Sequence, residues 1–429
     1  MSYSARSKVI FIILAAIALS GALLSSQAPI PNADVVDPAS KTLPNPNPTV
    51  IKNWGMLPDN RMWGSTAGVD IGPDGHVWAY DRCGTNTCAN STLNPIFKFD
   101  RSSGKMLASF GGGQIVFPHG IHVDRDGNVW ITDGNDNAPQ PERGAGAGAA
   151  GAGAGAGAAR GGAGRGATAG GAAADPAAGG AGAGAGRQGG AAAGGAAAAG
   201  RGATPAPTPT PNPLATKGHQ VIKFSPEGKV LLTLGKAGGA IGADCCFQPN
   251  DVITNAAGEI FVAEGHGEGS GRIRKFSKDG KLIKTWGEPG RGPGQFNVPH
   301  ALAFDSQGRL FVADRRNHRI QIFDQEGKFI DEWEQFSRIS GLFIDRGDTL
   351  YAIDSESSPT SHPNWKTGVR IGNTKEDKVL SFIPPHQTEQ PHGAAGEGVA
   401  VDPDGNVYAA EGPISRPAAG GGLTKYVKR

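Results

Sequence analysis

Apolar and polar residues alternate at period two along most of residues 50–428, in short runs broken by Gly- or Asp-containing turns. This is the pattern of half-buried strands joined by hairpins. Six segments share one cassette: a small or polar residue, an alternating run, a turn, a second run and an acid. They read AGVDIGPDGHVWAYD from Ala67, HGIHVDRDGNVWITD from His119, NDVITNAAGEIFVAE from Asn250, HALAFDSQGRLFVAD from His300, SGLFIDRGDTLYAID from Ser340 and EGVAVDPDGNVYAAE from Glu397. Fourteen residues after each opening slot stand Asp81, Asp133, Glu264, Asp314, Asp354 and Glu411, which fixes the register six times over. A second pair of runs follows most cassettes, as IFKFD and KMLASFG do between Ile96 and Gly111.

Four short strands per unit, recurring every ~40–60 residues, predict propeller blades, because one such sheet cannot bury both faces alone. The expected fold is all-β, a six-bladed β-propeller over residues 50–428. Before the first cassette, Val50–Gly55 reads VIKNWG, like the outer-strand run KLIKTWG at Lys281–Gly287. After the last cassette only LTKYVK, Leu423–Lys428, remains. Val50–Trp54 is therefore expected to supply the outer strand of the last blade and to close the ring.

Composition narrows the setting. A net charge of +2 gives no basic field for nucleic acid. Basic residues, an apolar run from Val9 to Leu24 and Ala28 read as a signal peptide over 1–28, which predicts a secreted or periplasmic protein. If uncleaved, the same segment would be a membrane anchor. Residues 29–49, rich in Pro and Asn, read as a linker. Residues 144–213, mostly Ala, Gly and Pro, have too little apolar surface to pack and read as a disordered insertion within blade 2. Cys83 and Cys88 could close a small loop, whereas the adjacent Cys245 and Cys246 argue against one unstrained bridge. Neither pair has zinc-ribbon spacing.

The chemistry lies in the opening slots. The first strand of each blade lines the channel, and alternate blades of six stand ~120° apart. His119, His300 and Glu397 are thus expected to approach the axis together, a catalytic zinc set or a ferrous facial triad. His392, in a Pro-His pattern like Pro118-His119 and Pro299-His300, is the alternative third ligand. One residue beyond each acid, Arg82 and Arg315 would crown the same face and clamp an anionic group. His266 follows the third cassette and is placed to act as general acid or base. The acidic series, present in all six copies, reads as bracing rather than chemistry.

FPHGIHVDRDGNVWITD and GQFNVPHALAF, with VADRRNHRIQIF following, resemble NHL-repeat propellers and, among them, the peptidyl-α-hydroxyglycine α-amidating lyases. That resemblance implies zinc at His119 and His300, substrate and catalytic roles for Arg82 and Arg315, and a structural calcium near the Val69 and Ile121 carbonyls. Gly398 stands where the family has the calcium Asp, Glu397 where it has a third His, and His266 where it has a Tyr. The implied activity is carbon–nitrogen cleavage of peptidyl-α-hydroxyglycine, a peptide C-terminus, into peptide amide and glyoxylate by a monomeric enzyme. The alternative is a secreted, non-catalytic propeller that binds a protein or glycan.

Overall fold

Each cassette forms the two inner strands of a four-stranded antiparallel sheet, and there are six such sheets. The computed structural model describes residues 35–46, 48–139, 212–240, 245–266, 271–386, 396–411 and 422–429. The six first strands are Val69–Ile71, Pro118–Val123, Pro249–Thr254, Pro299–Phe304, Gly341–Ile344 and Gly398–Val401. Among the described residues there is no α-helix, only three 3-10 turns, and no helix long and apolar enough to cross a membrane.

Blades are glued face to face. Six apolar clusters fill the six blade junctions, as where Phe311 and Trp333 of blade 4 meet Leu342 and Leu350 of blade 5. Second strands such as Ile260–Glu264 and Leu310–Asp314 are accordingly buried along their whole length, because both faces of the sheet meet a neighbouring sheet. Ring closure occurs as the sequence indicates: Thr49–Trp54 pairs antiparallel with Gly422–Val427 in blade 6. Trp54 locks the join, lying 4.9 Å from the Tyr408 ring and 5.9 Å from Phe99 of blade 1.

The outer strands of blades 1 to 5 each carry a register shift against their neighbour. The extra residue is Leu107, Leu231, Ile283, Ile330 or Leu380, each exposed. A bulge there twists the free edge and spoils it as a template for a seventh strand.

One region differs from the linker reading. Residues 35–46 are docked on blade 5: Asp37 is buried, pairs with Arg370 at 2.8 Å and accepts the Lys366 N–H at 2.9 Å. Pro44 O accepts from Phe382 N at 3.0 Å. A buried carboxylate with an equally buried guanidinium partner is a fixed contact, not a free linker. The Ala/Gly tract lies outside the described residues up to residue 211, between the paired strands Val129–Asp136 and Gly218–Phe224 of blade 2. Residues 1–34 and His392 also lie outside them. Cys83 and Cys88 form a disulfide, and Cys245 and Cys246 are paired with each other.

Candidate functional site

The first strands crowd the axis because small residues let their backbones touch. A Cβ on Gly120 would stand 2.6 Å from Asn250 O of blade 3, and one on Gly398 2.6 Å from Ala67 O of blade 1. All six opening slots consequently line one narrow cavity of about 60 Å³, as the register predicts. Val69, Ile121 and Gly398, the positions tied to calcium by resemblance, line it too.

This close approach orients the histidines. His119 Nδ1 lies 2.9 Å from Asn250 O, and His300 Nδ1 lies 2.6 Å from Ser340 O, each on the next blade. A carbonyl only accepts, so Nδ1 carries the proton and Nε2 keeps its lone pair. Both Nε2 atoms are buried without a partner among the described residues. His266 completes the set: ligating atoms of His119, His266 and His300 all lie within 4.8 Å of one another. Their ring centroids are 4.8–5.5 Å apart. Burial first, then the neighbouring imidazoles and Arg82 and Arg315, holds His119 and His300 well below the ordinary histidine range. His266 is pushed down to about 3 by burial and Arg315. Three neutral imidazoles around one point, with Nδ1 of His119 and of His300 tied to carbonyls, fit the donor set of a catalytic zinc.

Two arginines stand beside that set, as their register predicts. Arg82 donates Nε to Pro118 O at 3.0 Å and Nη1 to Asn86 Oδ1 at 3.0 Å, and its guanidinium lies 3.7 Å from the Phe117 ring. Its Nη2 is buried and has no partner. Arg315 is fully buried in the short turn Arg315–Asn317, with Nε and Nη1 making no hydrogen bond. Unsatisfied buried N–H groups cost stability, so their concentration around one cavity marks a ligand position.

Glu397 lines the channel but is not in the convergent set; His266 takes the third place. It is buried, and its carboxylate has no hydrogen bond or ion pair among the described residues. Burial and the nearby Glu356 push its pKa up, against the pull of Arg82 and Arg315.

Glu356 and Tyr80 were missed from sequence. Glu356 directly follows Ser355, the register mate of Arg82 and Arg315, and that adjacency was its only signal. Tyr80 precedes the first acid; its hydroxyl donates to His119 O and accepts from Ala67 N at 3.2 Å. The acidic series braces loops: Asp133 accepts from Val116 N and Phe117 N at 3.0 and 2.6 Å, and Asp314 from Asn297 N at 2.7 Å.

The NHL repeat family matches residues 296–323. NHL repeat-containing protein 3 of Homo sapiens is 38% identical over 120 residues, 27% of this chain and 35% of that protein. Peptidyl-glycine alpha-amidating monooxygenase B of Xenopus laevis is 27% identical over 364 residues, 78% of this chain and 30% of that protein. Peptidyl-alpha-hydroxyglycine alpha-amidating lyase 1 of Drosophila melanogaster is 31% identical over 217 residues, 45% of this chain and 39% of that protein. The matches span about a third of the length of these curated relatives. The chain is a six-bladed β-propeller that matches the NHL repeat at residues 296–323 and is similar to peptidyl-alpha-hydroxyglycine alpha-amidating lyase 1.

Proposed function

We propose that this protein is a zinc-dependent lyase that cleaves peptidyl-α-hydroxyglycine to a peptide amide and glyoxylate. The observation that carries the reading is the convergence of His119, His266 and His300 beside two buried arginines with unused N–H groups. Bound zinc would supply Lewis-acid chemistry at the substrate hydroxyl. Arg82 Nη2 and the free N–H groups of Arg315 bind the substrate carboxylate, since a guanidinium matches its two oxygens. Burial excludes water and strengthens each of these contacts.

In the reaction, the hydroxyl loses its proton and its O–H electrons form the carbonyl of glyoxylate. The C–N pair leaves with nitrogen, which takes up a proton to become the amide. Glu397, buried and unpaired in the same channel, is the carboxylate assigned to accept the first proton and return it to nitrogen. The Cys83–Cys88 disulfide favours an oxidising compartment, in keeping with export.

Elemental analysis of purified wild type, His119→Ala and His266→Ala, with glyoxylate release from a peptidyl-α-hydroxyglycine, tests this. We expect about one zinc per chain in the wild type, lost in both variants, and release slowed at least ~100-fold. A wild type without stoichiometric metal, or full release by His119→Ala, overturns it.

A further inference from the structure

Arg315 is held in an unusual way. No hydrogen bond among the described residues uses its Nε or Nη1, yet the guanidinium is buried and its charge acts on His266 and His300. The group facing it is Glu356, whose Oε1 lies 3.3 Å from Arg315 Nη1. The other oxygen, Oε2, is 2.8 Å from Arg338 Nη2. Glu356 is in turn pinned through its own backbone, its N–H donating to Asp354 Oδ1 at 3.0 Å. Burial alone would raise the Glu356 carboxyl, but Arg315 and Arg338 outweigh it and hold the group ionised.

The loop bearing Glu356 runs from blade 5 and is clasped to the Arg315 turn a second time. His362, on that loop, stacks on His318, the cap of the Arg315–Asn317 turn, with centroids 3.8 Å apart. Trp365 stacks on the other side of His362 at 4.4 Å. Its base is tied down by Asp37 through Lys366 N and Arg370. The whole arm therefore ends on one guanidinium.

We infer that Glu356 is a positioning residue: it aims Arg315 by charge while leaving its N–H groups free for the substrate carboxylate. A hydrogen-bonded partner would consume those donors, whereas an ion pair without hydrogen-bond geometry orients the guanidinium and consumes none. With no counter-ion, a buried guanidinium turns toward whatever carboxylate or carbonyl it can reach. Glu356 thus sets carboxylate affinity through Arg315, and its charge is also felt by His266 and Glu397. This inference rests on Arg315 binding the carboxylate, as proposed above.

The test is glyoxylate affinity by calorimetry on the full chain, with steady-state kinetics, zinc content and melting temperature recorded for every variant. Glu356→Gln should weaken glyoxylate binding and raise KM roughly tenfold with zinc retained, while any change in kcat reports the separate loss of its charge beside Glu397. Glu356→Asp, which keeps the charge, should recover much of the affinity. The Arg315→Ala/Glu356→Gln double variant should bind no worse than Arg315→Ala. If Arg315→Ala abolishes binding while Glu356→Gln leaves it intact, Glu356 has no positioning role. Unchanged binding in Arg315→Ala would instead sink the carboxylate reading beneath it. Should Glu356→Gln not fold, Glu356→Asp and Arg338→Gln decide: the second leaves Glu356 charged against Arg315, so affinity falling more than about threefold in it overturns the inference.

Discussion

Gly120 shows how little room the site has. Its φ is ordinary, so what demands glycine is the Asn250 carbonyl that a Cβ would strike at 2.6 Å. That carbonyl also receives His119 Nδ1 and the Thr132 hydroxyl. Gly120→Ala should destabilise the fold by roughly 1–3 kcal/mol through overpacking, and should lower zinc content although no ligand is altered. Denaturant titration paired with elemental analysis checks this; retained zinc would show that His119 does not depend on the blade contact. At this scale the sequence was legible where register spoke. His119 and His300 line the cavity their slots indicate, and the charges of Arg82 and Arg315 act on them from beside it. Register could not rank Glu397 against His266, because the loop after Glu264 belongs to no cassette and its reach is set by packing alone.

Among the elements, the second strands carry the acids that tie the blade tops together, and these respond to pH. Burial pushes Asp133 up to about 7, against the two backbone N–H groups it accepts. A carboxyl raised in the folded state holds its proton where the unfolded chain has released it. Its contribution is complete below about pH 4 and is lost as pH rises through about 7. The histidines act in the opposite sense, stabilising above about pH 6.5 and less below it, so the group must be isolated by substitution. Relative to the parent, Asp133→Asn should gain stability between pH 5 and pH 8, on the order of 2 kcal/mol, read as a shift in urea midpoint. A constant difference across that range would mean that Asp133 stays ionised. Strand order and hairpin pairing were readable from alternation, and so was the bracing role of these acids. The docking of residues 35–46 was not, since a Pro- and Asn-rich segment with one Asp reads as solvated until its partner, Arg370, is placed beside it.

For the molecule as a whole, stability depends on the junction where the ring meets itself. Trp54 there meets Tyr408 and Phe99 edge-on and is 6% exposed, so it belongs to blade 6 and to the seam with blade 1 at once. Trp54→Ala should cost about 3–5 kcal/mol and broaden the unfolding transition. Calorimetry would contradict this if the transition stayed sharp and shifted by less than about 2 °C.

The pairing of Thr49–Trp54 with Gly422–Val427 also imposes an order in time. Blades 1 to 5 are each built from strands consecutive in sequence, in blade 2 across the Ala/Gly tract, and can assemble as the chain lengthens. The sixth waits for Gly422–Val427, which must find a partner made more than 350 residues earlier. Until then the first strand hangs unpaired and the histidines of blades 2, 3 and 4 line an open trough rather than a channel. A cation site built around the axis would gain its shape only when Gly422–Val427 has paired with Thr49–Trp54, so metal uptake should follow that pairing rather than precede it.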